Sequence, residues 1–168
     1  NFKVNGDFDI KSFSIDKNII KKLNRNLILL YSGFKRTLYH ISSSYINKLQ
    51  SSKKSNIIRI LHLAREGEKS LVKGKLDDFG KLLHESWLEK KSLSKSISNP
   101  KINEIYNSAL KNGAEGGKLL GAGGGGFFLF YVPVQKQKKL LKHFKKLINV
   151  PFKFTSEGSK IIFKHSEK

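Results

Sequence analysis

With 168 residues, the chain is long enough for one domain that buries about 70% of its unfolded surface, and 38% hydrophobic content with twelve Phe and five Tyr can fill a core. The absence of Cys excludes disulfides and thiolate metal sites and suits a reducing cytoplasm, the expected location. No apolar run is long enough for a membrane-spanning helix, no secretory signal opens the chain, and the net charge of +20 asks whether the partner is a polyanion.

Asn1 to Phe13 alternates apolar and polar residues around Asn5-Gly6-Asp7, a turn signal between two short strands. Ser14 or Asp16 can cap a short helix that carries Ile19, Ile20 and Leu23 inward. Leu27 to Tyr31 is a compact buried strand closed by Ser32-Gly33, and Phe34, Leu38, Ile41, Tyr45 and Leu49 then recur at helical spacing. After a polar loop at Ser51 to Ser55, a helix runs from about Asn56 to Lys73, with Gly74 as its stop. Leu76, Phe79, Leu83 and Trp87 mark the next helix, which fades into a Ser/Lys-rich segment. Asn99-Pro100 starts another, ended by Asn112-Gly113. Beyond the glycine stretch lies a strand at Phe127 to Val132, then a Lys-rich helix around Leu140 to Leu147. Val150 to Phe154 and Lys160 to Phe163 read as two closing strands. The order predicts an α+β domain with a mostly antiparallel sheet, helices on one face and a ferredoxin-like split βαβ core.

The chain is organised around Gly113 to Gly126, eight of whose fourteen residues are glycine, running into Phe127-Phe-Leu-Phe-Tyr-Val132. Glycines this dense permit positive φ and close approach, and successive free N–H groups can form a nest for an anion. Gly121, Gly123 and Gly126 satisfy G-x-G-x-x-G, but that fingerprint must follow a strand and open a helix, and here a strand follows. A Walker A loop needs four residues before Gly-Lys and a Ser or Thr after it. Only three separate Gly113 from Gly117-Lys118, and Leu119 follows. Both readings fail, which leaves a phosphate-handling or close-packing loop at the mouth of a sheet.

The segment resembles the third signature of the GHMP kinases, the superfamily of galactokinase, homoserine kinase, mevalonate kinase and phosphomevalonate kinase. Its form, Gly116-Gly-Lys-Leu-Leu-Gly-Ala-Gly-Gly-Gly-Gly-Phe127 ending in Phe130-Tyr-Val-Pro133, is most similar to the D-glycero-D-manno-heptose 7-phosphate kinase branch. Leu29 to Arg36, Phe79 to Trp87, Ile97 to Pro100, Val150 to Phe154 and Glu157 to Ile162 look like that branch too, so the resemblance spans essentially the whole chain. It implies a GHMP kinase C-terminal domain over 1–168, with residues 1–15 the tail of a preceding domain and residues 34–112 a helical elaboration. The family's Pro-x-x-x-Gly-Leu-Gly-Ser-Ser-Ala-like phosphate loop has no counterpart here, nor does its catalytic Asp. No residue of this chain is therefore expected to be catalytic. Met is missing even at position 1, so the chain reads as a piece of a longer protein, inactive alone.

The resemblance implies ATP and Mg²⁺ as cofactors, held mainly by the missing N-terminal half, and a sugar phosphate phosphorylated on its anomeric hydroxyl. The expected partners are that N-terminal kinase domain and the small-molecule substrate, with no membrane and no metal bound by these residues. Gly117, Lys118, Gly121, Ala122, Gly123, Gly124, Gly125 and Gly126 would pack against the phosphate loop and complete the floor of the site. A tight strand entry is the plainer reading of those glycines, and a solvated side chain that of Lys118. Arg36, just past a Ser-Gly turn, could grip the sugar phosphate bidentately, or else make a surface ion pair. His84 and Glu85 could face the sugar or lie on an exposed helix face, whereas Trp87 belongs to the core. Galactose-, fucose- and mevalonate-type acceptors remain open within the superfamily. A basic RNA-binding module is the alternative outside it, and exposed strand aromatics beside Lys would mark it. Phe127, Phe128 and Phe130 occupy both faces of one strand, and all but four of the 33 basic residues are Lys beside abundant Ile and Asn. The latter is what compositional drift in an A/T-rich genome would encode, the plainer reading beside a polyanion partner. Nucleic acid is thus not the expected partner.

Overall fold

A computed structural model describes residues 3, 5–10, 14–35, 45–48, 51–155, 157–158 and 161. Helix α1, Lys17–Asn26, is capped by Asp16, whose Oδ1 accepts from the N–H of Asn18 at 2.8 Å and Ile19 at 3.3 Å. It runs directly into β1, Leu27–Tyr31. Helix α2 is Lys54–Val72 and α3 is Leu76–Leu93, joined by a tight corner at Gly74. There the N–H of Gly74 bonds Leu71 O and that of Lys75 bonds Ser70 O, a Schellman closure that needs the +68° φ of Gly74. A single 3₁₀ turn at Lys95–Ile97 leads to α4, Pro100–Lys111, with Asn99 as its N-cap and Pro100 in its first turn. Strands β2, Gly116–Leu119, and β3, Phe127–Tyr131, form a hairpin, and α5 is Val134–His143.

The sheet has the order β1-β3-β2, antiparallel throughout. Strands β1 and β2 are therefore parallel to each other with β3 between them, the split βαβ arrangement, and the crossover between them carries α2, α3 and α4. This is the α+β architecture the sequence predicts. The closing strand is a correction. Val150 to Phe154 forms no ladder: contact with β1 is an isolated bridge, Leu30 to Asn149, framed by Tyr31 N–H to Ile148 O and Val150 N–H to Leu29 O. Past Pro151, which lacks a donor, the chain leaves β1 for α1. There Asn24 holds it, donating to Phe152 O and accepting from the N–H of Phe154. The other closing strand, the flanks of the first turn and most of the helix expected from Phe34 to Leu49 lie outside the described residues. The turn itself is present, with Lys3 N–H bonded to Asp7 O.

A second correction concerns Gly116 to Leu119, which belongs to a strand and not to the glycine loop. A Cβ on Gly116 would lie 1.9 Å from Gly80 O, and one on Gly117 would lie 2.5 Å from Phe130 Cδ1. These two glycines let β2 press against α3 and β3, where space and not backbone conformation demands them.

Strand alternation sorts the core. Ile28, Leu30, Phe128 and Phe130 face the larger cluster, with Trp87, Ile97, Ile102, Tyr106, Leu140 and Phe144. Leu27 and Tyr131 face a smaller one, with Leu23 and Leu76 buried and Phe79 and Leu83 half-buried. Trp87, Phe128 and Phe130 are completely buried, and each such side chain contributes roughly 1.5–3 kcal/mol. The rigid floor under the glycine loop is this aromatic cluster. Trp87 is core, as its helical position predicts.

Candidate functional site

Leu120 N–H bonds Phe127 O at 2.8 Å and closes the β2–β3 hairpin around Gly121 to Gly126. Within it φ is positive at Gly121, Gly123, Gly124 and Gly126, a path that a chain with side chains there would follow only under strain. Two anchors fix it. Gly124 N–H donates to Ile97 O at 2.9 Å, while Gly126 N–H donates to Phe34 O at 3.0 Å and its carbonyl accepts from Ser32 N–H at 2.8 Å. The fit is close, since a Cβ on Gly123 would lie 2.8 Å from Ile97 O and one on Gly125 2.6 Å from Phe34 O.

The N–H groups of Gly121, Ala122, Gly123 and Gly125 have no protein acceptor among the described residues. Gly123 and Gly125 are buried residues, and an unpaired buried N–H costs about 1–3 kcal/mol. Such a row of donors is suited to an anion or to the backbone of a further segment. From α3, Lys90 Nζ bonds Gly121 O and reaches Leu119 O at 3.2 Å, so an ammonium stands at the mouth of the loop. Lys101 lies over the Phe34 ring, 5.9 Å from its centroid. The loop is thus a close-packed turn, with four N–H groups that no described residue accepts.

The other sequence candidates go different ways. Gly117 is in β2, where its carbonyl accepts from the Tyr106 hydroxyl at 3.1 Å. Lys118 alternates away from buried Leu119 and sends its ammonium to Ser86 Oγ on α3, at 3.2 Å, rather than to the loop. Burial lowers its pKa. Glu85 pairs with Arg59 of α2 at 2.5 Å, on the flank of α3. His84 Nδ1 lies 2.8 Å from Tyr106 Oη. The Tyr106 hydroxyl has a single proton, and burial pushes its pKa well above the usual tyrosine range. With that proton given to Gly117 O, His84 must donate from Nδ1, which leaves Nε2 as the acceptor. Burial, and then Lys91, lower the His84 pKa, with Glu85 opposing. Arg36 lies outside the described residues.

Sequence reasoning missed Tyr106 and Lys90. Tyr106 reads as one more apolar position on α4, and Lys90 has nothing to distinguish it among so many lysines. Among the described residues, no three His, Asp or Glu side chains are grouped to hold a metal ion, and no helix is long and apolar enough to cross a membrane.

The domain is thus a split βαβ fold that presents an anchored glycine hairpin. Residues 68–146 match the family model for the GHMP kinases C terminal domain. Over that stretch the chain carries the GHMP kinase C-terminal family pattern. It is 28% identical over 172 aligned residues to a D-glycero-alpha-D-manno-heptose 7-phosphate kinase of Campylobacter jejuni, covering 92% of this chain and 50% of that protein. A mevalonate kinase structure from Methanococcus jannaschii superposes with a TM-score of 0.53 at 26% identity, over 82% of this chain and 43% of the other. At 20% identity, a D-glycero-D-manno-heptose 1-phosphate kinase structure from Bacteroides thetaiotaomicron shares the fold with a TM-score of 0.63, over 95% and 43% of the two chains. The chain thus spans about half the length of these three relatives.

Proposed function

We propose that these residues form the C-terminal half of an ATP-dependent GHMP-type sugar kinase whose acceptor is the anomeric hydroxyl of a heptose 7-phosphate, working in the cytoplasm. Similarity to a heptose 7-phosphate kinase along 92% of the chain supports this reading more than any other observation. Residues 1–15 would be the tail of the preceding domain, whose phosphate loop and catalytic Asp would complete the site.

In this reading ATP supplies the γ-phosphoryl group. This chain contributes a fixed floor: the free N–H groups of Gly121, Ala122, Gly123 and Gly125, with Lys90 beside them, would meet the phosphate loop or the anion it holds. Catalysis of this kind is mainly positioning and charge stabilisation, and a turn anchored at Ile97 and Phe34 needs no reorganisation at the moment of transfer. The described residues do not fit Mg²⁺ as a site of their own, and no step is assigned to the metal. Arg36, His84 and Glu85 stay candidates for the sugar phosphate, His84 through its Nε2 lone pair.

An RNA-binding reading needs exposed strand aromatics, and Phe128 and Phe130 are completely buried. A phosphotransfer assay on the protein with its upstream half restored tests the proposal against heptose 7-phosphate, galactose, fucose and mevalonate. Preference for the heptose is expected. Preference for another acceptor would overturn the branch assignment, and turnover of none would overturn the enzyme.

A further inference from the structure

Behind β2, on the side of the sheet away from the larger cluster, α2 and α3 part over a cavity of about 400 Å³. Leu63, Leu71, Phe79 and Leu83 supply apolar walls, and Lys118 and Ser86 also line it. The volume falls in the range of small-ligand sites, which are mostly apolar with a few placed polar groups. The Lys118 ammonium has three donors, and Ser86 Oγ is the one acceptor it meets among the described residues. Lys118 makes no ion pair with any described carboxylate, Glu68 on the cavity wall included, and a half-buried cation in that state beside an apolar hollow is costly and is relieved by an anion.

We propose that this cavity binds a small amphiphilic anion, an alkyl carboxylate whose tail lies between α2 and α3 and whose headgroup is met by Lys118 and Ser86. The choice of a carboxylate follows from the donors. One ammonium and one hydroxyl match a singly charged head, whereas a phosphate dianion would leave charge uncompensated. Nothing in this assignment depends on the kinase reading. Lys118 is turned to α3, away from the glycine hairpin, and binding is measured without ATP or sugar.

Calorimetric titration of the full chain compares decanoate, decanol and acetate near physiological salt. Decanoate is expected to bind at least tenfold more tightly than decanol, with acetate silent. Lys118→Met, which keeps the apolar stem, should abolish the preference for decanoate without weakening decanol. Ser86→Ala should reduce that preference by a few-fold and serves if Lys118→Met fails to fold. Because the chain is so basic, Lys81→Met, at an exposed lysine of α3, is the control and should change nothing. Equal binding of decanoate and decanol would overturn the proposal. So would a preference that survives Lys118→Met, one lost equally in Lys81→Met, or no binding of any probe.

Discussion

Gly116→Ala probes the contact that fixes β2 against α3. The new methyl carbon would lie 1.9 Å from Gly80 O and 3.1 Å from His84 N, both backbone atoms of α3. Neither can rotate away, so strand and helix must separate, and with them the seat of Leu119 and Trp87. Overpacking a core typically costs about 1–3 kcal/mol, and a rigid backbone clash belongs at or above the top of that range. In a domain of this size each kcal/mol moves Tm by roughly 2–4 °C, so a loss of about 6–12 °C is expected. Gly67→Ala is the internal control. Gly67 lies within α2 and its Cβ would meet Phe79 of α3 at an ordinary 3.7 Å, and replacing a mid-helix glycine should gain up to about 1 kcal/mol. Thermal melts of the two variants beside the parent are the assay. A Gly116→Ala chain that melts within a degree or two of the parent would refute the close-approach reading of this strand.

Tyr106→Phe removes the hydroxyl shared by Gly117 O and His84. A loss of about 1–3 kcal/mol is expected in chemical denaturation, since a buried acceptor is left unpaired. Nitrogen-15 NMR of His84 in the parent should report the Nδ1–H tautomer, and a dominant Nε2–H form would contradict the assigned hydrogen bonds. The lowered pKa of His84 means that the unfolded chain takes up the proton first as pH falls through its ordinary value. Stability should therefore drop on acidification from pH about 7 towards 5, and Tm should fall less in His84→Gln. Lys118 has the same sign higher up the scale. Its lowered pKa makes the folded state release a proton before the unfolded one, so Lys118→Met should be stabilising at neutral pH, with the gain shrinking as pH rises towards 10. A gain independent of pH would point to packing alone.

What the sequence discloses about this fold is what local chemistry decides. Asp16, Asn99-Pro100 and Gly74 announce helix ends because caps and Schellman turns are built from adjacent residues. Leu27 to Tyr31 and Phe127 to Tyr131 are legible as buried apolar runs. Gly116 and Gly117 mislead, because their strand exists to approach Gly80, a residue 36 positions earlier in the chain that carries no signal of its own. Once β2 is misread as loop, the direction of Lys118 is lost as well, since alternation about Leu119 is what turns it to Ser86. In the same way His84 and Tyr106 sit on different helices, and no spacing rule joins them. The glycine stretch is legible as a turn that needs positive φ. Its anchors at Ile97 and Phe34 are not, because only packing brings those carbonyls to it.

The most direct test of the proposed divided kinase site is calorimetric titration with Mg-ATP and then heptose 7-phosphate, on these residues alone and on a protein that also carries the proposed upstream half. The 168-residue chain should give no heat with either ligand. The restored protein should bind both and transfer phosphate, and Gly125→Ala, whose Cβ would lie 2.6 Å from Phe34 O, should lower its rate at least tenfold. Tight Mg-ATP binding by the chain alone, or full turnover in the Gly125→Ala protein, would contradict the account.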